Sequence, residues 1–330
     1  MITRRKLLLV LGASMLAAPL GSHAQQQRKV WRVGFLSPRH VDFDDTDYYY
    51  GPFRQGMREL GYVEGKNLII EWRSSEGNDE RLPALAAELV KLKVNVIVTA
   101  GTLAVSVVQK ATTTIPIVMG AVADPVGSGL IKSLAQPGGN ITGQSNMAGD
   151  LRPKQLEMLL AMVPKLSRVA VLVNPTNTGN TTALKRLQAE AQTRGVTILF
   201  REARTPQEID NAFTLIRQQN VGALMVSANT LFVQQRNQIA GLAAKHRLPS
   251  IAADRTYTEA GGLMSYGSNT SEMYRRVATY VDRILKGTKP ADLPVEQPTT
   301  FELVINGKTA KALGLIIPQA LLISANKVIE

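Results

Sequence analysis

The sequence predicts an α/β protein of two doubly wound, Rossmann-like lobes facing each other across a cleft. Three observations carry this. Short β-branched runs such as Val94–Val98 and Ile115–Met119, bounded by Gly, Thr and Pro, read as buried parallel strands. Segments of helical spacing alternate with them, which covers both faces of a sheet with helices. The pattern of the first half then starts again in the second, with five echoes in the same order.

Taken in order, residues 1–24 stand apart. Arg4, Arg5 and Lys6 precede an apolar run from Leu7 to Leu20, and Ser22-His23-Ala24 places small residues three and one before a cut ahead of Gln25. This is the pattern of a cleavable signal peptide, with an apolar run of 14 residues that is too short to span a bilayer as a helix. Thr3-Arg4-Arg5 fits both the general secretory and the twin-arginine route. The expected address is the periplasm. The chain has no Cys, which excludes disulfides, thiol catalysis and a lipid anchor on a cysteine.

Trp31–Leu36 reads as the first strand, ending in Ser37-Pro38. A polar, aromatic segment from Arg39 to Pro52 follows, then a helix around Phe53–Leu60, a turn over Gly61–Asn67, a strand at Leu68–Trp72 and a helix over Leu82–Leu92. Val94–Val98 ends at Ala100-Gly101-Thr102, where Leu103–Ala111 reads as a helix; Ile115–Met119 ends near Asp124-Pro125 and leads into a second expected helix over Gly127–Ala135. Two such corners at one sheet edge make a crevice, because open α/β sheets take ligands at the carboxyl ends of their strands.

Then the pattern repeats. Arg168–Pro175 echoes Arg32–Pro38, Val196–Phe200 echoes Leu68–Trp72, and Val221–Leu231 echoes Val94–Leu103. Leu248–Ile251 matches Ile115–Val118, and Gly261–Gly267 matches Gly138–Gly143. Ser271–Leu285 has helical spacing with Tyr274, Val277, Ala278, Val281 and Leu285 as its apolar face. Leu293–Pro298 runs extended because its prolines forbid helix, and Phe301–Ile305 is a last strand before Lys308–Leu313. This tail is expected to recross between the lobes. The boundaries are then 25–147 plus about 268–292 for lobe one, and 148–267 plus about 293–330 for lobe two.

Composition bounds the function. With 330 residues, 45% of them hydrophobic and 19% charged, the chain is long enough for two cores. Its formal charge of +12 is scattered among acids without a basic run or interleaved aromatics, so no nucleic-acid partner is expected. Beyond the signal only His40 and His246 remain, far apart, and neither a metal site nor a Ser–His pair is indicated. There is no G-x-S-x-G elbow. Gly61–Asn67 fails the phosphate-loop spacing, and Gly127-Ser128-Gly129 lacks the third glycine of a dinucleotide fingerprint. No metal, cofactor or catalytic residue is expected.

The stretches RVGFLSP, FRQGMRELGYVEGKN, RLPALAAELV, Ala123–Leu130, PGGNITG, AAKHRLP, EAGGLMSYG and ILKGTKPADLPVEQPTTFELVIN together resemble the substrate-binding proteins of bacterial ABC importers. More closely, the chain resembles the tryptophan-binding-like group of the type I periplasmic-binding-protein fold, over nearly all of the mature length. The resemblance implies two lobes joined by a three-crossover hinge, a small-molecule solute held between them, an ABC permease in the inner membrane as partner, and a monomer. It leans toward amino acids, some of them aromatic. Arg39–Tyr50 departs from the small-residue loop expected there.

The candidate ligand-binding residues are Ser37, Gly101, Thr102, Asp124, Asn174, Asn229, Asp254 and Tyr266. Thr102, at a helix start, would hold a carboxylate; as an N-cap it would serve only its helix. Ser37 and Asn174 end equivalent strands and would reach the ligand or close a turn before proline. Asp124 and Asp254 would take an ammonium or a sugar hydroxyl, or initiate turns. Asn229 aligns with Gly101, and Tyr266 would wall the cleft or simply pack. Tyr48, Tyr49 and Tyr50 read as loop surface ahead of a stack against the ligand. Two other functions use the same cleft: a sensor domain docking on a receptor, and a secreted enzyme working through its carboxylates.

Overall fold

The structure, a computed structural model, describes residues 29–41, 47–177 and 181–330. The signal-peptide reading of residues 1–24 lies outside these residues, as does part of the Arg39–Tyr50 loop. Within Trp31–Glu330 there are two sheets. The first contains β1 (Trp31–Ser37), β2 (Leu68–Ser74), β3 (Val96–Thr99), β4 (Ile117–Val122) and β5 (Ile141–Ser145), all parallel, in the order β2-β1-β3-β4-β5. The second contains β6 (Arg168–Val173), β7 (Thr197–Glu202), β8 (Ala223–Val226), β9 (Ser250–Ala252), β10 (Met264–Ser268), β11 (Phe301–Asn306) and β12 (Lys327–Ile329), in the order β12-β11-β10-β9-β8-β6-β7. Strands β6 to β10 therefore take the same order as β1 to β5, and the echoed sequence is an echoed topology. β11 adds antiparallel to β10, and β12 adds parallel to β11.

The helices are α1 (Gly51–Glu59), α2 (Leu82–Lys91), α3 (Thr102–Ala111), α4 (Arg152–Met162), α5 (Thr181–Thr193), α6 (Pro206–Gln218), α7 (Thr230–Gln234), α8 (Arg236–Lys245), α9 (Arg255–Glu259), α10 (Thr270–Leu285), α11 (Gly307–Leu313) and α12 (Gln319–Ser324). Alternate strand residues go to opposite faces. Val33, Phe35, Val96, Val98 and Val118 meet Phe53 and Met57 of α1 and Tyr274, Val277 and Val281 of α10. Leu36, Ile97, Ile117 and Met119 meet Leu85 and Leu89 of α2 and Val105 and Val108 of α3. The second sheet is covered in the same way, by α4, α5, α11 and α12 on one face and by α6, α8 and α9 on the other.

Helix α10 thus follows a strand of the second sheet yet packs on the first. Asn269 caps it by accepting from the Glu272 N–H at 3.1 Å. The extended run after it returns along β5: Ser145 N–H donates to Glu296 O at 2.9 Å, and Glu296 N–H donates to Gly143 O at 3.0 Å. Arg276 of α10 holds the Glu296 carboxylate in a two-pronged pair at 2.8 and 2.6 Å. Gly143 and Gly267 occupy matching places in the two repeats, and both admit a neighbouring backbone where a side chain would sit. A Cβ on Gly143 would lie 2.2 Å from Met119 O, and one on Gly267 would lie 2.0 Å from Ala253 O.

One expected element is absent. Gly127–Ala135 forms turns, not a helix. The Asp124 carboxylate accepts the Gly127 N–H at 2.7 Å, and the Leu130 and Ile131 N–H groups both donate to Pro125 O, which curls the segment back on itself. Such local side-chain bonds compete with a helical ladder.

Candidate functional site

The carboxyl ends of the two sheets open on one cavity of about 150 Å³. Arg39 enters it after β1, the turn Gly101–Ala104 after β3, and Asn146 after β5. From the second sheet come Asn177 after β6, Ser227 and Asn229 after β8, Asp254 after β9, and Ser268 at the end of β10. Leu82, Leu151 and Phe232 supply apolar walls. This is where strand-end chemistry in open α/β sheets places a ligand.

Four of the eight candidate residues line this cavity: Gly101, Thr102, Asn229 and Asp254. Thr102, 8% exposed, opens α3, which no side chain caps. Gly101 precedes it at φ 82°, a left-handed conformation that glycine adopts without strain. The first-turn N–H groups of Thr102, Leu103 and Ala104, residues that all line the cavity, have no acceptor within the helix. They present the positive end of the helix dipole to whatever binds. Asn229 and Asp254 face them as self-capping residues: Asn229 Oδ1 accepts from Leu231 N–H at 3.0 Å, and Asp254 Oδ1 from Thr256 N–H at 2.9 Å.

The other four lie behind or away from the cavity wall. Ser37 is fully buried, bonds the Tyr50 hydroxyl, and donates to Arg39 O at 2.7 Å, so it shapes the turn that carries Arg39. Asn174 accepts from the Thr176 N–H and hydroxyl at 3.0 and 2.8 Å, and its amide nitrogen lies 3.4 Å from Asn229 Oδ1. Asp124 is the turn former described above. Tyr266 packs beside Phe301 with ring centroids 6.0 Å apart.

The aromatic loop differs from its expected place on the surface. Tyr50 is 2% exposed and sits among Phe35, Trp72 and Tyr274. Tyr49 crosses the cleft, its hydroxyl 3.1 Å from both Asp254 Oδ1 and Thr256 Oγ1. The Arg39 guanidinium lies over the Tyr49 ring at 3.5 Å from its centroid. Burial works against the Arg39 charge, but Tyr50, Tyr274, Tyr49 and Asp254 outweigh it and raise its pKa, so Arg39 is a fixed cation. Burial likewise pushes the Tyr49 phenol up, with Asp254 adding to the shift, so it stays protonated. The apolar hydroxyphenyl bodies seek the core of a chain otherwise short of aromatics, which is why an outwardly polar loop turns inward.

Two buried polar atoms of cavity residues, Ser227 Oγ and Asn177 Oδ1, have no hydrogen-bond partner among the described residues. Among those residues there is also no group of three or more His, Cys, Asp and Glu able to hold a metal, and no helix long and apolar enough to cross a membrane.

Residues 39–329 match the family model described as ABC transporter substrate binding protein. A curated relative, the tyrosine-binding protein of Clostridioides difficile strain R20291, is 26% identical over 315 residues, covering 93% of this chain and 90% of that one. A solved ABC domain from Streptococcus pneumonia, in complex with L-Trp, superposes with a TM-score of 0.83 at 27% identity, over 91% of this chain and 100% of that one. A conserved domain protein from Vibrio cholerae gives a TM-score of 0.84, also at 27% identity and with the same coverage. A solute-binding protein from Agrobacterium vitis with bound allitol shares the type I periplasmic-binding-protein fold at 16% identity, with a TM-score of 0.59 over 86% of this chain and 98% of that one.

Proposed function

The chain belongs to the ABC transporter substrate-binding protein family, and we propose that it captures an amino acid or a related carboxylate in the cleft and delivers it to an inner-membrane ABC permease. The single observation that carries the ligand class is the uncapped first turn of α3 in the cavity wall, which favours a carboxylate. The curated relative and the L-Trp complex support the same class. In this reading the protein is periplasmic and monomeric, is not an enzyme, and needs no cofactor.

The contacting residues are Gly101, Thr102, Asn229 and Asp254, with Asn174 positioning Asn229 and Ser37 shaping the turn that carries Arg39. The lobes are 25–147 plus about 268–292, and 148–267 plus about 293–330. They close on the solute about the crossovers 143–150, 266–269 and 289–298, as periplasmic binding proteins do. The packing of α10 on the first sheet supports the crossing at 266–269, whereas the return of the 293–298 run along β5 favours placing the last boundary at about 298.

A thermal-shift screen across amino acids, organic acids and sugars tests the class, because a ligand that binds only the folded state raises its melting temperature. Stabilisation by amino acids or other carboxylates is expected. Stabilisation by neutral sugars alone would refute it.

A further inference from the structure

We propose that Arg39 is a solute-contacting residue: its guanidinium pairs with the carboxylate of the solute, and through it the cleft distinguishes a carboxylate from the uncharged amide of the same molecule. This rests on the carboxylate reading above and adds to it a side chain outside the candidate residues drawn from the sequence.

Arg39 is built into place before anything binds. Its main-chain carbonyl accepts the Ser37 hydroxyl at 2.7 Å and the Ser74 hydroxyl at 2.6 Å, and its N–H donates to Ser37 Oγ at 3.0 Å. The side chain is fixed as well, with the guanidinium 3.5 Å above the Tyr49 centroid and 5.6 Å from that of Tyr50. A long side chain ordered in advance loses little freedom on meeting a ligand.

Its hydrogen-bonding capacity is unspent. A guanidinium carries five N–H donors. Among the described residues, that of Arg39 makes one long bond, to the Tyr274 hydroxyl at 3.4 Å, and has no carboxylate within ion-pair distance. The phenols around it stay neutral, since burial pushes both Tyr49 and Tyr274 up. Its donors are not sealed in the wall either: none of them is a buried atom without a partner, and Arg39, partly exposed, lines the cavity. Because Tyr49 takes one flat face of the guanidinium, the open donors lie at its edge, in the plane where a carboxylate offers two oxygens. A solute ring stacked on the other face would leave those donors unmet. β1 and β3 are adjacent, so Arg39 and the α3 turn stand at neighbouring strand ends of one crevice.

The nearest opposite charge does not neutralise it. Asp254 stands at the hydroxyl of the same Tyr49 ring, where Oδ1 takes the phenol at 3.1 Å, and its Oδ2 takes the Thr270 hydroxyl at 3.5 Å. A cation over the ring and a carboxylate at its hydroxyl, with no ion pair between them, leave a partner for each end of a zwitterion. The pairing at Arg39 therefore serves an amino acid and a plain carboxylate alike.

The test is calorimetric titration of the mature protein with three acid–amide pairs: tryptophan and tryptophanamide, tyrosine and tyrosinamide, and 3-phenylpropanoate and 3-phenylpropanamide. Each pair keeps the side chain and replaces the charged carboxylate by a neutral group of similar size. In at least one pair we expect the acid to bind about tenfold or more tightly than the amide. Arg39→Met should weaken that acid about ten- to a hundredfold while leaving the amide within about twofold, and Arg39→Lys, which keeps the charge but not the fork, should restore part of the preference. Unliganded melting temperatures show that the variants fold, and the preference of the parent protein needs no variant at all. A preference that survives Arg39→Met, an equal loss for acid and amide, equal binding of acid and amide in every pair, or failure of all three acids to bind overturns the inference. A preference that survives Arg39→Met leaves the proposed function standing, whereas stabilisation by neutral sugars alone removes both.

Discussion

Tyr49→Phe removes one hydroxyl and keeps the ring beneath Arg39. That oxygen is 3.1 Å from Asp254 Oδ1 and 3.1 Å from Thr256 Oγ1, and it ties the segment leading into α1, on the first sheet, to α9 of the second. A hydrogen bond to a charged group contributes about 1.5–3 kcal/mol. Asp254 Oδ1 keeps the Thr256 N–H at 2.9 Å and the Thr256 hydroxyl at 2.5 Å, so the carboxylate is not left bare and the low end applies. A loss of about 1.5 kcal/mol from the closed arrangement alone is roughly tenfold in the closed-to-open ratio. The apparent solute affinity should fall by up to about tenfold, as the binding-competent fraction falls. Titration calorimetry reads the affinity, and small-angle scattering of the unliganded variant should show a larger radius of gyration than the parent. If both stay unchanged while Tyr49→Ala also leaves them unchanged, the cross-cleft bond contributes nothing to closure and the reasoning is wrong.

Other expectations follow from single atoms. Thr102→Ala removes a hydroxyl at the uncapped α3 turn and should weaken carboxylate binding roughly ten- to a hundredfold by calorimetry, with the melting temperature of the free protein nearly unchanged. Gly143→Ala places a Cβ 2.2 Å from Met119 O at φ 128°, and should destabilise by about 3 kcal/mol or more in urea unfolding; a change below about 0.5 kcal/mol would mean that β4 and β5 can separate freely. Burial, then the Asp282 hydrogen bond, pushes the Tyr62 phenol from 10.0 up to about 12. A phenol with a raised folded pKa contributes stability that is fully present below the unfolded value and is lost as pH rises from 10 to about 12. Alkaline titration should therefore show phenolate absorbance appearing late and together with unfolding, and early, independent ionisation of every tyrosine would contradict the packing.

Most of the fold was legible because buried strands have few ways to be written. β1, β3, β4, β6 and β8 are β-branched or apolar runs that end at Ser, Thr, Asn or Gly, and the order in which they recur is what exposed the duplication. Helix α10 was legible from its spacing and the run after it from its prolines. The turns after Asp124 were not, since a bond from one carboxylate to Gly127 N–H decides between turn and helix there, and propensity cannot see it. At the cavity, Thr102 and Asp254 could be placed because strand ends and helix starts are local features. Arg39 and Tyr49 could not, because their positions depend on Tyr274 and Thr256, more than two hundred residues further along. Ser37 and Asn174 were recognised as strand-end residues, but nothing local distinguishes a side chain that touches a ligand from one that orients its neighbour.

Capture without conversion is tested most directly by loading the mature protein with the best-stabilising carboxylate, measuring the stoichiometry by calorimetry, and then releasing and analysing the solute. One molecule bound per chain and recovered chemically unchanged after prolonged incubation is the predicted result. Steady loss of the carboxylate with appearance of a product would contradict it and return the cleft carboxylates to a catalytic role.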